Sequence, residues 1–148
     1  MKKRLFWGSV VLWLVLLLSA CGGQAKPQTL SGDARDAVLA YSEDMTDNLL
    51  TGLSEGDYAA FSRDFTEQMA TSLSEAKFPE LTLQIIGKLG AYVSREVQSV
   101  EQVDEFVTVT YAAKFEQDDP VTVRVVFEAA EPHRVTGLWF DSAKLRQQ

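Results

Sequence analysis

Phe106-Val107-Thr108-Val109-Thr110-Tyr111-Ala112-Ala113-Lys114-Phe115 is the stretch on which the reading of the fold turns. Val107, Val109, Tyr111, Ala113 and Phe115 fall on one face and Thr108, Thr110, Ala112 and Lys114 on the other, the period of two that marks a half-buried strand. A turn is expected at Gln117-Asp118-Asp119-Pro120. Beyond it Val121, Val123, Val125, Phe127 and Ala129 share a face opposite Thr122, Arg124, Val126 and Glu128, so the two runs read as antiparallel neighbours with a common apolar side. Glu131-Pro132-His133 turns the chain into a last strand over residues 134–142. Residues 92–103 are more polar and read as the first strand, at an edge of the sheet.

Upstream the period changes from two to that of a helix. Over residues 33–53, Val38, Leu39, Tyr41, Met45, Leu49, Leu50 and Leu53 fill about half of a wheel drawn at 100° per residue, and Asp33, Asp36, Glu43, Asp44 and Asp47 fall in the remaining arc. That arc is expected to be a solvated face. Ser31 or Asp33 can cap the start, and Ser54-Glu55-Gly56-Asp57 supplies a stop. Tyr58, Phe61, Phe65, Met69 and Leu73 then recur at three- and four-residue steps, which predicts a second helix broken near residues 64–66. A third begins at Pro79 and ends at Gly90, with Leu81, Ile85 and Leu89 on one stripe. Helices followed by a meander give an α+β domain, with the N-terminal helices packed in a curved antiparallel sheet of about four strands.

The amino end has a separate logic. Lys2, Lys3 and Arg4 precede an apolar run from Leu5 to Leu18, and Leu18-Ser19-Ala20-Cys21-Gly22-Gly23 closes it. A run of 14 residues is short for a bilayer span, which takes about 20. Residues 1–20 therefore read as a bacterial lipoprotein signal peptide, with Cys21 the lipidated residue. An uncleaved anchor helix is the alternative. Residues 21–31, with two glycines and Pro27, are expected to be a flexible tether spanning roughly 17 Å. Residues 32–148 remain as a single domain. The implied location is the outer, extracytoplasmic face of the cell membrane.

Charge and cysteine are best counted without the signal. The chain has 14 Lys+Arg against 21 Asp+Glu, and loss of Lys2, Lys3 and Arg4 leaves 11 against 21, a net charge of −10. Such a surface repels nucleic acid, which is excluded as a partner. Cys21 is the only cysteine, so lipidation leaves no thiol and no disulfide. The fold must stand on packing.

Several strings carry a family resemblance. Glu55-Gly56-Asp57-Tyr58 with Phe61-Ser62-Arg63-Asp64-Phe65 and Met69, Leu89-Gly90-Ala91-Tyr92, Tyr111-Ala112-Ala113-Lys114-Phe115 and Gly137-Leu138-Trp139-Phe140-Asp141-Ser142 together resemble the bacterial domain of unknown function 3887. That family is similar to the nuclear transport factor 2-like, cystatin-like superfamily. The resemblance implies a cone of curved sheet around helices, often with an apolar pocket and often dimeric through the sheet.

A cone invites a search for chemistry. Isomerase- or dehydratase-like reactions need a carboxylate or an Asp/His pair in a dry pocket. His133 is the only histidine, and its place between Pro132 and Arg134 predicts a solvated turn residue. Asp64 and Asp141 read as capping or terminating residues. No nucleophile elbow, phosphate loop or zinc spacing is present, so no catalytic residue, cofactor or metal site is expected. Tyr41, Phe61, Phe65, Tyr92, Tyr111, Phe115, Phe127 and Trp139 are expected to converge, as a packed core or as the lining of a pocket for a small apolar ligand. On the other sheet face Thr108, Thr110, Lys114, Thr122 and Arg124 form a candidate interface, for a homodimer or another partner. A lipid-anchored binding or interaction domain is the function these features favour, with a carboxylate-dependent enzyme as the alternative.

Overall fold

The computed structural model describes residues 25–147. The expected signal peptide and Cys21 lie outside these residues. Five antiparallel strands form one curved meander in the order β1 (Gln28–Thr29), β2 (Tyr92–Val103), β3 (Phe106–Phe115), β4 (Asp118–Glu128) and β5 (Val135–Asp141). Helix α1 (Gly32–Glu55) packs across the inner face, followed by α2 (Tyr58–Ser62), α3 (Glu67–Ser72) and α4 (Phe78–Leu89), and α5 (Ala143–Arg146) closes the chain. The fold is α+β, as the change of period predicts.

Local chemistry places the element ends. Gly56 ends α1 at φ 73°, in the left-handed region that favours glycine, and its N–H donates to the Gly52 carbonyl. Asp57 and Thr66 cap α2 and α3, accepting from the N–H groups of Ala60 and Met69. Between those helices the chain leaves helical geometry and Phe65 bridges Val135, with Thr66 N–H donating to the Val135 carbonyl at 2.9 Å. That bridge explains the expected break at residues 64–66.

Three expectations need correction. The turn between β3 and β4 is Glu116-Gln117, because Phe115 pairs with Asp118, and Asp118, Asp119 and Pro120 already belong to β4. The tether does not run freely to residue 31: Gln28 and Thr29 pair with Gln102 and Glu101, and Leu30 N–H donates to the Val100 carbonyl at 2.8 Å. These bonds add the fifth strand and cover part of the β2 edge. Ser31 is extended at the start of α1, but its side chain makes no capping bond.

One core joins the layers. Val107, Val109, Tyr111, Ala113 and Phe115 of β3 and Val121, Val123, Val125 and Phe127 of β4 are all buried. Against them lie Val38, Leu49, Leu50 and Leu53 of α1, Phe61, Phe65 and Met69 from the broken segment, and Phe78, Ile85 and Leu89 of α4. Among the described residues, the members of the core and the apolar side chains packed on it lie between Leu30 and Leu145. The centre of the α1 stripe is polar, however: Ser42 and Thr46 are fully buried, whereas the apolar wheel would have put only Tyr41 and Met45 there.

Candidate functional site

The eight aromatic residues expected to line a pocket divide into three groups. Phe61, Phe65, Tyr111, Phe115 and Phe127 are core, none more than 5 % exposed. Phe61 sits 4.9 Å from the centroids of both Phe65 and Phe78, and Phe115 packs edge-on against Tyr92 and Phe140. These ring contacts, most of them edge-to-face, fill the space between helices and sheet. Tyr92 stands at the margin, and Tyr41 borders a surface groove.

Trp139 lies on the opposite side of the sheet, 58 % exposed. By simple alternation it would share the inner face with Val135, but β5 carries a bulge: Phe127 pairs with Val135 while Val126 pairs with Gly137. The extra residue, Thr136, reverses the parity of everything after it. Leu138 and Phe140 then oppose Val125 and Val123 on the inner face, and Trp139 opposes Arg124 on the outer one. The indole lies over Gly137, where a Cβ would meet its ring atoms at 2.5 and 2.7 Å. Gly137 is thus the seat of the tryptophan.

The five residues expected to form an interface share that outer face. In the ladder Thr108 stands beside Val126, Thr110 beside Arg124 and Ala112 beside Thr122. Lys114 pairs loosely with Asp119 at 3.5 Å, both about half exposed. Glu96 and Glu101 of β2, beside Ala112 and Thr108, bring negative charge to one margin, and Asp141, beside Thr122, brings it to the other. The middle of the face is Thr, Val, Ala, one Arg and one Trp. Such a centre, poor in acids and carrying Trp and Arg, matches the composition of interface cores.

Sequence reasoning missed a polar cluster inside the cone. Arg95 faces inward from β2, opposite Ala113, with a side chain only 9 % exposed. Its guanidinium donates to Asp47 Oδ1 at 2.6 Å, Tyr92 Oη at 2.9 Å and the Glu43 carbonyl at 2.7 Å, and lies 5.4 Å above the centre of the Tyr111 ring. Glu43 Oε2 is 3.4 Å away. Two acids of the supposedly solvated arc therefore grip a buried cation. The available signal was their four-residue spacing, which puts both on one helix face. Burial opposes the charge of Arg95, but bonds to Asp47 and Tyr92 and the nearby Glu43 carboxylate outweigh it and raise its pKa.

Tyr111 is the other end of this cluster. Its hydroxyl shares a 3.1 Å hydrogen bond with Thr46 Oγ1. Ser42 and Glu43 lie near enough to influence its titration, yet among the described residues Ser42 Oγ, Glu43 Oε1 and Arg95 Nε find no hydrogen-bond partner. Burial, aided by Glu43 and opposed by the Thr46 and Ser42 hydroxyls, pushes the Tyr111 pKa up to about 12. A spectrophotometric titration should show a phenol ionising near pH 12, and Tyr111→Phe should delete that step. Because the folded pKa lies above the unfolded one, the associated stability is complete below about pH 10. It is lost as pH rises toward about 12, by about 3 kcal/mol. A Tyr111 that ionises at the ordinary phenol value of about 10 would refute the assignment.

His133 departs from the expected solvated turn residue. It takes φ 58°, its ring stacks on Tyr41 at 3.9 Å and 6°, and Nδ1 lies 3.2 Å from the Glu128 carbonyl. Asp141 pairs with Arg146, and Asp64 with Arg63, so neither acid enters the interior cluster.

No curated protein and no solved structure matches the chain. The family model described as Protein of unknown function (DUF3887) matches residues 39–132, from the second turn of α1 through β4. The match ends before β5, so the Trp139 platform lies beyond it. Spanning the interior cluster, both central strands and well over half of the sequence, it makes the chain a member of the DUF3887 family of proteins of unknown function.

Proposed function

We propose that this protein is a non-enzymatic interaction domain, lipid-anchored through Cys21 at the extracytoplasmic face of the cell membrane, which works through its outer sheet face by pairing with a second copy. The observation that carries this reading is Trp139, more than half exposed on a glycine seat beside Arg124. An aromatic held flat by the backbone contributes contact area with little loss of side-chain entropy. The likeness of the curved sheet and its helices to a nuclear transport factor 2-like, cystatin-like cone supports the same face as the place of pairing. Its charge-poor centre suits a second copy, because the strongly acidic surface elsewhere would repel one. The same acidity argues against nucleic acid.

Sedimentation of the chain from Gly22 onward should show a concentration-dependent dimer. Trp139→Ala, and Gly137→Val, which unseats the indole, should shift it to monomer with the fold intact. A wild-type monomer at about 100 μM, a range where standard interfaces are saturated, ends the pairing proposal. In cells, Cys21→Ser should release the protein from the membrane fraction, and retention of the variant would remove the anchor.

A second reading, an isomerase- or dehydratase-like enzyme with a pocket carboxylate, would rest on Glu43, whose Oε1 is buried beside the Tyr111 region. Ser42, Thr46 and Tyr111 are fully buried around it, which leaves little room for a substrate. The packed interior favours the non-enzymatic reading.

A further inference from the structure

A concavity apart from the sheet face lies at the end of the sheet where β3 begins and β4 finishes. There a groove of about 280 Å³ runs between the first turns of α1 and the strand ends. Leu30, Val38, Val107 and Ala129 form its apolar walls, and Tyr41 and His133 stand together at its rim. None of the described residues that line it is acidic or strongly basic.

Two features show that this rim is constructed. His133 holds a left-handed backbone at φ 58°, a conformation that a residue other than glycine keeps only when its surroundings enforce it. The enforcement is visible: its N–H donates to the Ala130 carbonyl, and its ring stacks on Tyr41. Tyr41 is fixed in turn by an edge contact to Phe127 at 5.7 Å and 75°. The tautomer follows from the second bond of His133. The Glu128 carbonyl can only accept, so Nδ1 is the donor, and in the Nδ1–H tautomer Nε2 is the acceptor.

We propose that this groove is a binding site for a small uncharged molecule built on a planar ring and carrying one hydrogen-bond donor, of the size of phenol or indole. The volume sets the size, since an apolar cavity of about 150 Å³ already holds benzene. The apolar walls favour a ring, and the absence of a lining charge disfavours carboxylates and amines, whose desolvation would go uncompensated. The acceptor at Nε2 selects for an N–H or O–H donor.

The test is an amide chemical-shift titration of the chain from Gly22 onward with indole and with phenol, using N-methylindole and benzoate as controls. Saturable shifts confined to the amides around Tyr41, Val107 and His133 are expected for the two donors. N-methylindole, which lacks the donor, should bind about tenfold more weakly, and benzoate not at all. His133→Gly suits φ 58° and preserves the backbone while deleting the rim ring, so it should weaken indole binding about tenfold. Ala37→Phe, placed at an exposed helix position on the groove, should block it without touching the turn. The absence of saturable shifts, shifts centred on Trp139, or undiminished affinity in both variants would overturn the proposal. Failure here leaves pairing through the sheet untouched, because sedimentation reads that face separately.

Discussion

Gly52→Ala should lower the unfolding free energy by about 3 kcal/mol, although alanine is the better helix former. Gly52 lies inside α1, where glycine costs up to about 1 kcal/mol relative to alanine, so propensity alone predicts stabilisation. Tertiary contact reverses the sign. A Cβ at this position would stand 2.4 Å from the Phe61 nitrogen and 3.0 Å from the Ala60 carbonyl carbon. The obstacle is backbone, which cannot swing aside as a side chain can. Helix α2 would have to move outward, and with it Phe61, which holds the rings of Phe65 and Phe78. The Asp57 N–H that donates to the Gly52 carbonyl, and the Asn48 amide that donates to the Ala60 carbonyl, tie the two helices at the same point. Urea unfolding followed by circular dichroism reads the loss directly. A midpoint equal to or above wild type would show that this close approach does not govern stability.

Arg95→Met should be the second large loss, about 2–4 kcal/mol by the same measurement. Methionine retains an apolar stem but none of the bonds to Asp47, Tyr92 and Glu43. Removing the cation leaves two carboxylates facing an interior polar cluster. The upper end of the range is discounted because the side chains of Asp47 and Glu43 are 63 % and 43 % exposed and regain water. Arg95→Lys should recover little, since an ammonium cannot span three acceptors as a planar fork does. Combining Arg95→Met with Asp47→Asn should cost less than the sum of the single changes, because the partners share one interaction. Additive costs, or a stable Arg95→Met variant, would mean that the cluster serves something other than stability.

The strand alternation of residues 106–115 and 121–129 was legible because it is a property of adjacent residues. Each inward residue of β3 and β4 is where the period of two places it. Helix α1 was equally legible along its length, as was the stop at Gly56. The candidate interface of Thr108, Thr110, Lys114, Thr122 and Arg124 followed from the same alternation. Trp139 did not, because one bulged residue at Thr136 reverses its side, and a bulge is set by register against the partner strand, which local periodicity does not express. Arg95 was hidden for a similar reason: a polar strand at an edge reads as solvated until a helix four dozen residues upstream supplies its acids.

The amino-acid sequence by itself determined the α+β plan, the helices before the meander, and the inner and outer faces of the two central strands. Those features arise from short-range periodicity and from turn chemistry, which neighbours along the chain fully express. Only the tertiary structure decided that rings fill the interior, that Trp139 lies outward on Gly137, and that Glu43 and Asp47 hold Arg95. It also decided that Gly52 is a contact point and that His133 closes a groove with Tyr41. Each of these depends on which distant segments meet and at what distance, and close packing turns a single inserted residue or a single methyl group into a different answer.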